Sequence, residues 1–136
     1  MVQQKEITLN RYKRGIHIIT NLFEEAFPEL PENGLLHLFV KHTSAGLTIN
    51  ENADASVRHD LGQILKHIVP ENEPYYTHVL EGADDMPAHA KASLIGASVT
   101  IPITNHQLNL GTWQGIYFCE FRNAVKNRKL VATVYS

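Results

Sequence analysis

Apolar residues recur along this chain at two periods, and the change of period marks its elements. Gln4–Leu9 alternates loosely and Gly15–Ile19 is short and β-branched, which predicts two strands joined by a turn around Arg11–Arg14. Asn21 with Glu24 three residues later has capping-box form, so a short helix is expected over Asn21–Phe27, ended by Pro28. A turn at Leu30–Gly34 (LPENG) leads into Leu35–Lys41, whose strong apolarity predicts a central strand; Leu47–Ile49 continues the sheet.

The period then lengthens. Val57, Leu61, Ile64, Leu65 and Ile68 fall on one helical stripe, with Arg58, His59, Asp60, Gln63 and Lys66 mostly off it. Asn52 or Asp54 can cap this helix and Pro70 ends it. After a polar loop at Glu71–Tyr76, Asp85 precedes Met86–Pro87, and Pro87 suits the first turn of a helix reaching about Ile95. Ser98–Ile103, Gly115–Phe121 and Leu130–Tyr135 read as strands, and Asn105-His106-Gln107 as a hairpin turn. The irregular spacing favours an α+β fold over a doubly wound parallel sheet. The expectation is a single domain, a largely antiparallel sheet carrying one long helix and two shorter ones.

Composition narrows the function classes. The 136 residues suffice for one domain with a core, and 43% hydrophobic with 19% charged residues is ordinary globular usage. A net charge of −2 argues against a nucleic-acid footprint. Arg122, Lys126, Arg128 and Lys129 form a loose basic cluster, read as a solvated loop. The one cysteine, Cys119, excludes an internal disulfide and fits a reducing compartment. It lies in the apolar run Ile116–Phe121 and reads as a buried thiol. No apolar run has the length of a membrane span, and MVQQKEITLN has no apolar leader, so a cytoplasmic location is expected.

Two segments concentrate the polar chemistry: HTSAGLTINENAD at His42–Asp54 and EGADDMPAHAKAS at Glu81–Ser93. His42, Thr43 and Ser44 leave a strand end, where His42 could be structural or functional, and the hydroxyls could hold an oxyanion or cap a turn. Asn50, Glu51 and Asn52 lead into the long helix, whose start attracts anions. Asp84 and Asp85, with His78 and His89 nearby, resemble a metal or phosphate–metal site. Carboxylates suit Mg²⁺ with substrate phosphates, whereas His42, His78 and His89 would suit zinc. Asp85 could instead cap the helix. Lys91 and Ser93 could meet a phosphate. Gly111 and Gly115 frame Thr112-Trp113-Gln114, where Trp113 could stack on a ring or plug a subunit interface. Glu120 sits in an apolar strand and needs a partner, with Arg122 and Arg58 as candidates.

Taken together, HTSAGLTINENAD, VRHDL, HVLEGADDMPAHAKASLIGASVTIPI and LGTWQGIYFCE resemble the YjbQ-type family from Glu6 to Tyr135. That family is linked to a secondary thiamine-phosphate synthase activity. The resemblance implies a cytoplasmic homotrimer with sites in clefts formed from these motifs. By motif, it implies site residues His42, Thr43, Ser44, Asn50, Glu51, Asp60, His78, Glu81, Asp84, Asp85, His89, Lys91, Trp113, Gln114 and Glu120. Ala55 stands where members often have proline, and Arg122–Arg128 (RNAVKNR) departs from a common Gly-Pro-Arg form.

Three functions follow as expectations. The first couples a pyrimidine methyl pyrophosphate to a thiazole phosphate, releasing pyrophosphate. Asp84, Asp85 and Glu51 would hold Mg²⁺, while His42, Lys91, Thr43 and Ser44 contact the pyrophosphate and Trp113 faces the ring cation. The second is hydrolysis of a phosphorylated small molecule, with Zn²⁺ or Mn²⁺ on His42, His78 and His89, and Glu51 or Asp85 activating water. The third is a non-enzymatic trimeric binding or scaffold protein.

Overall fold

A computed structural model describes residues 1–124 and 126–136. In chain order the elements are β1 (Val2–Thr8), β2 (Gly15–Ile18), α1 (Thr20–Ala26), β3 (Asn33–Val40), β4 (Ala45–Glu51) and α2 (Ala55–Ile68). There follow α3 (Asp85–Ile95), β5 (Ser98–Thr104), β6 (Gln107–Leu108), β7 (Gln114–Glu120) and β8 (Lys129–Tyr135). The fold is α+β, and its strands make two antiparallel sheets, ordered β1-β8-β3-β5-β6 and β2-β7-β4. Among the described residues no helix is long and apolar enough to cross a membrane.

Alternation along the strands builds three layers. Leu36, Leu38 and Val40 of β3 point inward with Ile101 and Ile103 of β5 and with Leu130, Ala132 and Val134 of β8. They meet Leu47 of β4, Ile116 and Phe118 of β7, and Phe23 of α1. The opposite face of β7 carries Tyr117 and Cys119, followed by Phe121, which pack against Leu65 of α2 and Ala88 of α3. β7 is therefore covered on both faces, by the large sheet on one and by two helices on the other. A strand buried on both sides loses the polar-out half of its alternation, which explains the continuous apolar run Ile116–Phe121. Burial pushes the Cys119 thiol up to about 12, so it packs as a small hydrophobe.

Three expectations differ from the structure. β1 and β2 do not form a hairpin: β1 pairs with β8 and β2 with β7, so Leu9–Arg14 passes from one sheet to the other. The expected single sheet is likewise split, and β4 continues the smaller one. Asn21 lies inside α1, which starts at Thr20 without a side-chain cap. Asp54 caps α2 by accepting from the Ser56 N–H at 2.9 Å. Asn105 and His106 both have positive φ (52° and 64°), the two-residue turn that joins β5 to β6. The α2 stripe is only partly used: Leu65 is buried, whereas Ile64 and Ile68 face outward.

Phe118 is fully buried between the sheets, so Phe118→Ala should lower unfolding stability by about 3–5 kcal/mol. Urea denaturation checks this; a loss under about 1 kcal/mol would contradict a tightly packed inter-sheet core.

Candidate functional site

His78 sits in the loop before α3, Asp85 is the first residue of α3, and His89 lies one turn further on. Residues four apart share a helix face, so Asp85 and His89 point the same way. His78 Nε2 and His89 Nε2 approach the same oxygen, Asp85 Oδ2, at 2.7 and 2.9 Å. Among the described residues, these three bring potential ligand atoms within 4.8 Å of one another.

The surroundings fix the group. Arg122 donates to Asp85 Oδ1 at 2.5 Å, to Asp84 Oδ2 at 2.9 Å, and to the Glu81 carbonyl at 3.0 Å. The Asn123 N–H adds a bond to Asp84 Oδ2 at 2.8 Å. Burial works to raise the Asp85 carboxyl, but the His78 bond and the charges of His89 and Arg122 outweigh it and hold it below the ordinary carboxylate range. Asp84 is depressed likewise, where the Asn123 N–H and Arg122 overcome burial. His89 Nδ1 faces the Thr43 carbonyl at 2.9 Å while its Nε2 faces Asp85. Both ring nitrogens thus meet acceptors, yet a neutral imidazole has one N–H. With the proton on Nδ1, the lone pair of Nε2 points at a carboxylate. A second ring proton, or a metal ion between Nε2 and Oδ2, resolves that conflict, and a carbonyl holding the distal nitrogen is the usual setting of a metal-binding histidine.

The other expected residues are elsewhere. His42 Nε2 accepts from the Lys129 N–H at 2.9 Å, and burial, with help from Arg128, holds the ring below its ordinary value. That nitrogen is engaged, so His42 does not join His78 and His89. Asp84 faces Arg122 and is outside the ligand group. Asp85 belongs to the helix without capping it. Glu51 accepts from the backbone N–H groups of Ala53 and Asp54 at 2.9–3.2 Å, closing the strand-to-helix corner rather than meeting Asp84 and Asp85. Asn50 accepts from the Glu51 N–H, and Asp60 pairs with exposed His59.

Ser44 Oγ accepts from Arg128 at 3.0 Å. Thr43 contributes its carbonyl to His89, and Ser93 Oγ donates to the His89 carbonyl at 3.0 Å. Trp113 is exposed, and the Gln114 side chain accepts from the Gly111 N–H. Gly115 is required by a neighbour rather than by a ligand: a Cβ there would lie 2.9 Å from Asn52 Cβ. Lys91 is buried, and burial, with Arg14 nearby, pushes its ammonium down to about 8.

Arg122 and Arg128 were the omissions. The solvated-loop expectation is corrected for both, and Val125 of that segment lies outside the described residues. Arg128 grips Glu120 through Nε and Nη2 at 2.7 and 2.5 Å, so Arg128, and neither Arg122 nor Arg58, supplies the ion-pair partner. The overall charge count does not reveal this. The available signal was Glu120 itself, a carboxylate in an apolar strand that requires a cation close by.

The family model described as UPF0047 protein YjbQ-like matches residues 5–136. The chain belongs to this family. Similar members include UPF0047 protein YjbQ of Salmonella typhimurium, 46% identical over 98% of each chain, and YjbQ of Escherichia coli O157:H7, 43% identical over 98% of each. An uncharacterised YjbQ/UPF0047-family protein from Clostridium acetobutylicum has a similar crystal structure, with TM-score 0.85 and 42% identity over 96% of this chain and 98% of that one. A conserved hypothetical protein from Thermus thermophilus matches with TM-score 0.82 and 33% identity, over 93% of this chain and 97% of that one.

Replacing Arg128 by Met should strand the Glu120 charge and destabilise the chain by about 3–5 kcal/mol. Adding Glu120→Gln should recover part of that loss. A double variant no more stable than Arg128→Met would show that the arginine acts by packing alone.

Proposed function

We propose that this YjbQ-family chain is a metal-dependent hydrolase of a phosphorylated small molecule, with His78, Asp85 and His89 holding one zinc or manganese ion. The observation that carries it is the convergence of two imidazole Nε2 atoms on one carboxylate oxygen. Two histidines and one carboxylate leave an open position in a four-coordinate site, the arrangement of catalytic rather than structural zinc. The 2.7 and 2.9 Å separations need to open slightly, toward the roughly 3.3 Å edge of a tetrahedral zinc shell. When bound, such an ion supplies a Lewis-acid charge that makes water a nucleophile near neutral pH.

The chain's own groups do the rest. Arg122 holds the Asp85 carboxylate from its other oxygen and is a positioning residue. The Thr43 carbonyl fixes the tautomer of His89. Glu81 Oε2 lies 3.9 Å from His78 Nε2 on the exposed side, and in this reading it takes the proton of an attacking water. Oxygen of that water bonds to phosphorus, the phosphorus–oxygen bond to the leaving alcohol breaks, and the departing oxygen takes a proton from solvent.

Metal analysis of the purified protein should find a transition metal bound by the wild type and lost from His89→Ala and Asp85→Asn, with phosphate-monoester hydrolysis falling at least about a hundredfold in both. Folded wild type that binds no zinc or manganese would overturn this reading. The coupling of a pyrimidine pyrophosphate to a thiazole phosphate is the second reading, supported by a basic cleft beside Lys91. Its expected Mg²⁺ ligands are not gathered together. Coupling without hydrolysis in the same assay would select it.

A homotrimer is part of the proposal. Its support is apolar surface with no cover in the single chain: Leu35, Phe39 and Tyr135 face outward from the large sheet, and Leu80 is 97% exposed. Light scattering should give the mass of three chains; a single-chain mass at micromolar concentration would remove this part.

A further inference from the structure

A second polar feature is separate from the His78–Asp85–His89 group. Between α2, the start of β2 and the end of β7 runs a cleft of about 500 Å³. That volume suits a small metabolite. Arg14, Arg58, Lys66 and Lys91 line it, with Phe121 and Leu65 supplying apolar wall.

The charges here are poorly compensated. Lys91 is only 3% exposed, and among the described residues no hydrogen bond or ion pair reaches its Nζ. Its nearest company is the Phe121 ring, 5.9 Å from Nζ to the centroid. Arg58 Nη1 is buried and likewise without a partner among the described residues. A buried cation without a counter-charge costs several kcal/mol, so an unpartnered ammonium and an unpartnered guanidinium nitrogen facing one cleft call for an anion. Carboxylates close by do not supply it. Glu120 lines the cleft but is bound by Arg128, and Glu71 takes up Arg14 at 3.3 Å.

We infer that this cleft is a binding site for the phosphoryl group of a small molecule, with Lys91 and Arg58 as its principal ligands and Lys66 and Arg14 at its rim. A dianion with several acceptor oxygens matches two or more cationic donors better than a monocarboxylate does. The apolar wall takes the carbon part of the ligand. None of His78, Asp85 and His89 lines the cleft. Lys91 follows His89 by two residues, about 200° around α3, so the two side chains leave the helix on nearly opposite faces. The phosphoryl group held here is therefore not the one presented to the histidines; it belongs to a second substrate, a second phosphate of one substrate, or a regulator.

The test is calorimetric titration of inorganic phosphate and pyrophosphate into chelator-treated wild type, Lys91→Met, Arg58→Met and His89→Ala, at fixed ionic strength. Met keeps the length and removes the charge, and Lys91→Met should fold because it relieves a buried cation. Wild type and His89→Ala should bind alike, and each cation variant should weaken binding about tenfold to a hundredfold. Any of three results would overturn the proposal: no binding to wild type, unchanged binding in both cation variants, or equal loss in His89→Ala, which would place the anion at the histidines. If phosphate does nothing while Lys91→Met breaks a larger assembly, a neighbouring subunit's carboxylate fills the cleft and the proposal is likewise overturned.

Discussion

The double burial of β7 is the constraint on which the rest depends. One strand supplies Ile116 and Phe118 to the inter-sheet core and Tyr117 and Cys119 to the helix-side core. Neither layer can be dry without it, because the small sheet has only β2 and β4 beside it. Close approach on the helix side follows. At Gly46 of β4 a Cβ would stand 3.0 Å from Ile95 Cγ2 and 3.1 Å from the Gly96 carbonyl, so the end of α3 rests directly on the sheet. Seating α3 in this way brings His89 to the Thr43 carbonyl and aims Lys91 into the cleft beside α2.

Burying a strand on both faces brings its charged end inside. Glu120 closes β7 at 1% exposure, and the chain answers with Arg128, which also binds Ser44. Two residues beyond Glu120, Arg122 turns to the other side and clamps Asp84, Asp85 and the Glu81 carbonyl. The segment after β7 therefore works as a pair of cationic clasps. One stabilises the core, and the other sets the carboxylate on which His78 and His89 converge. Lys91 and the Nη1 of Arg58 stand apart from this pattern, as buried cationic groups with no hydrogen-bond partner among the described residues.

The sequence was legible where a feature is local. The long helix, its Asp54 cap, the Pro87 start of α3 and the turn at Asn105 and His106 each depend on a few neighbouring residues. His78, Asp85 and His89 were legible as a cluster for the same reason, since they lie within one loop and one helical turn. Their separation from His42 was not. His42 sits on a strand end, and its nitrogen is claimed by the Lys129 N–H, 87 positions along the chain. Glu51 looked catalytic between two amides, but its oxygens face the free N–H groups of the helix start that follows it.

What the chain determined by itself is periodicity and proximity: which segments alternate, which face of a helix is apolar, and which side chains stand four residues apart. Tertiary structure decided partners. It split the strands into two sheets, left Ile64 and Ile68 outside, and joined Glu120 to Arg128 instead of Arg122 or Arg58. The reason is physical. A hydrophobic period is satisfied by any dry surface, so it fixes an element without naming its neighbour. A buried charge is satisfied only by a specific opposite charge within about 4 Å, and that distance exists only after the layers have closed.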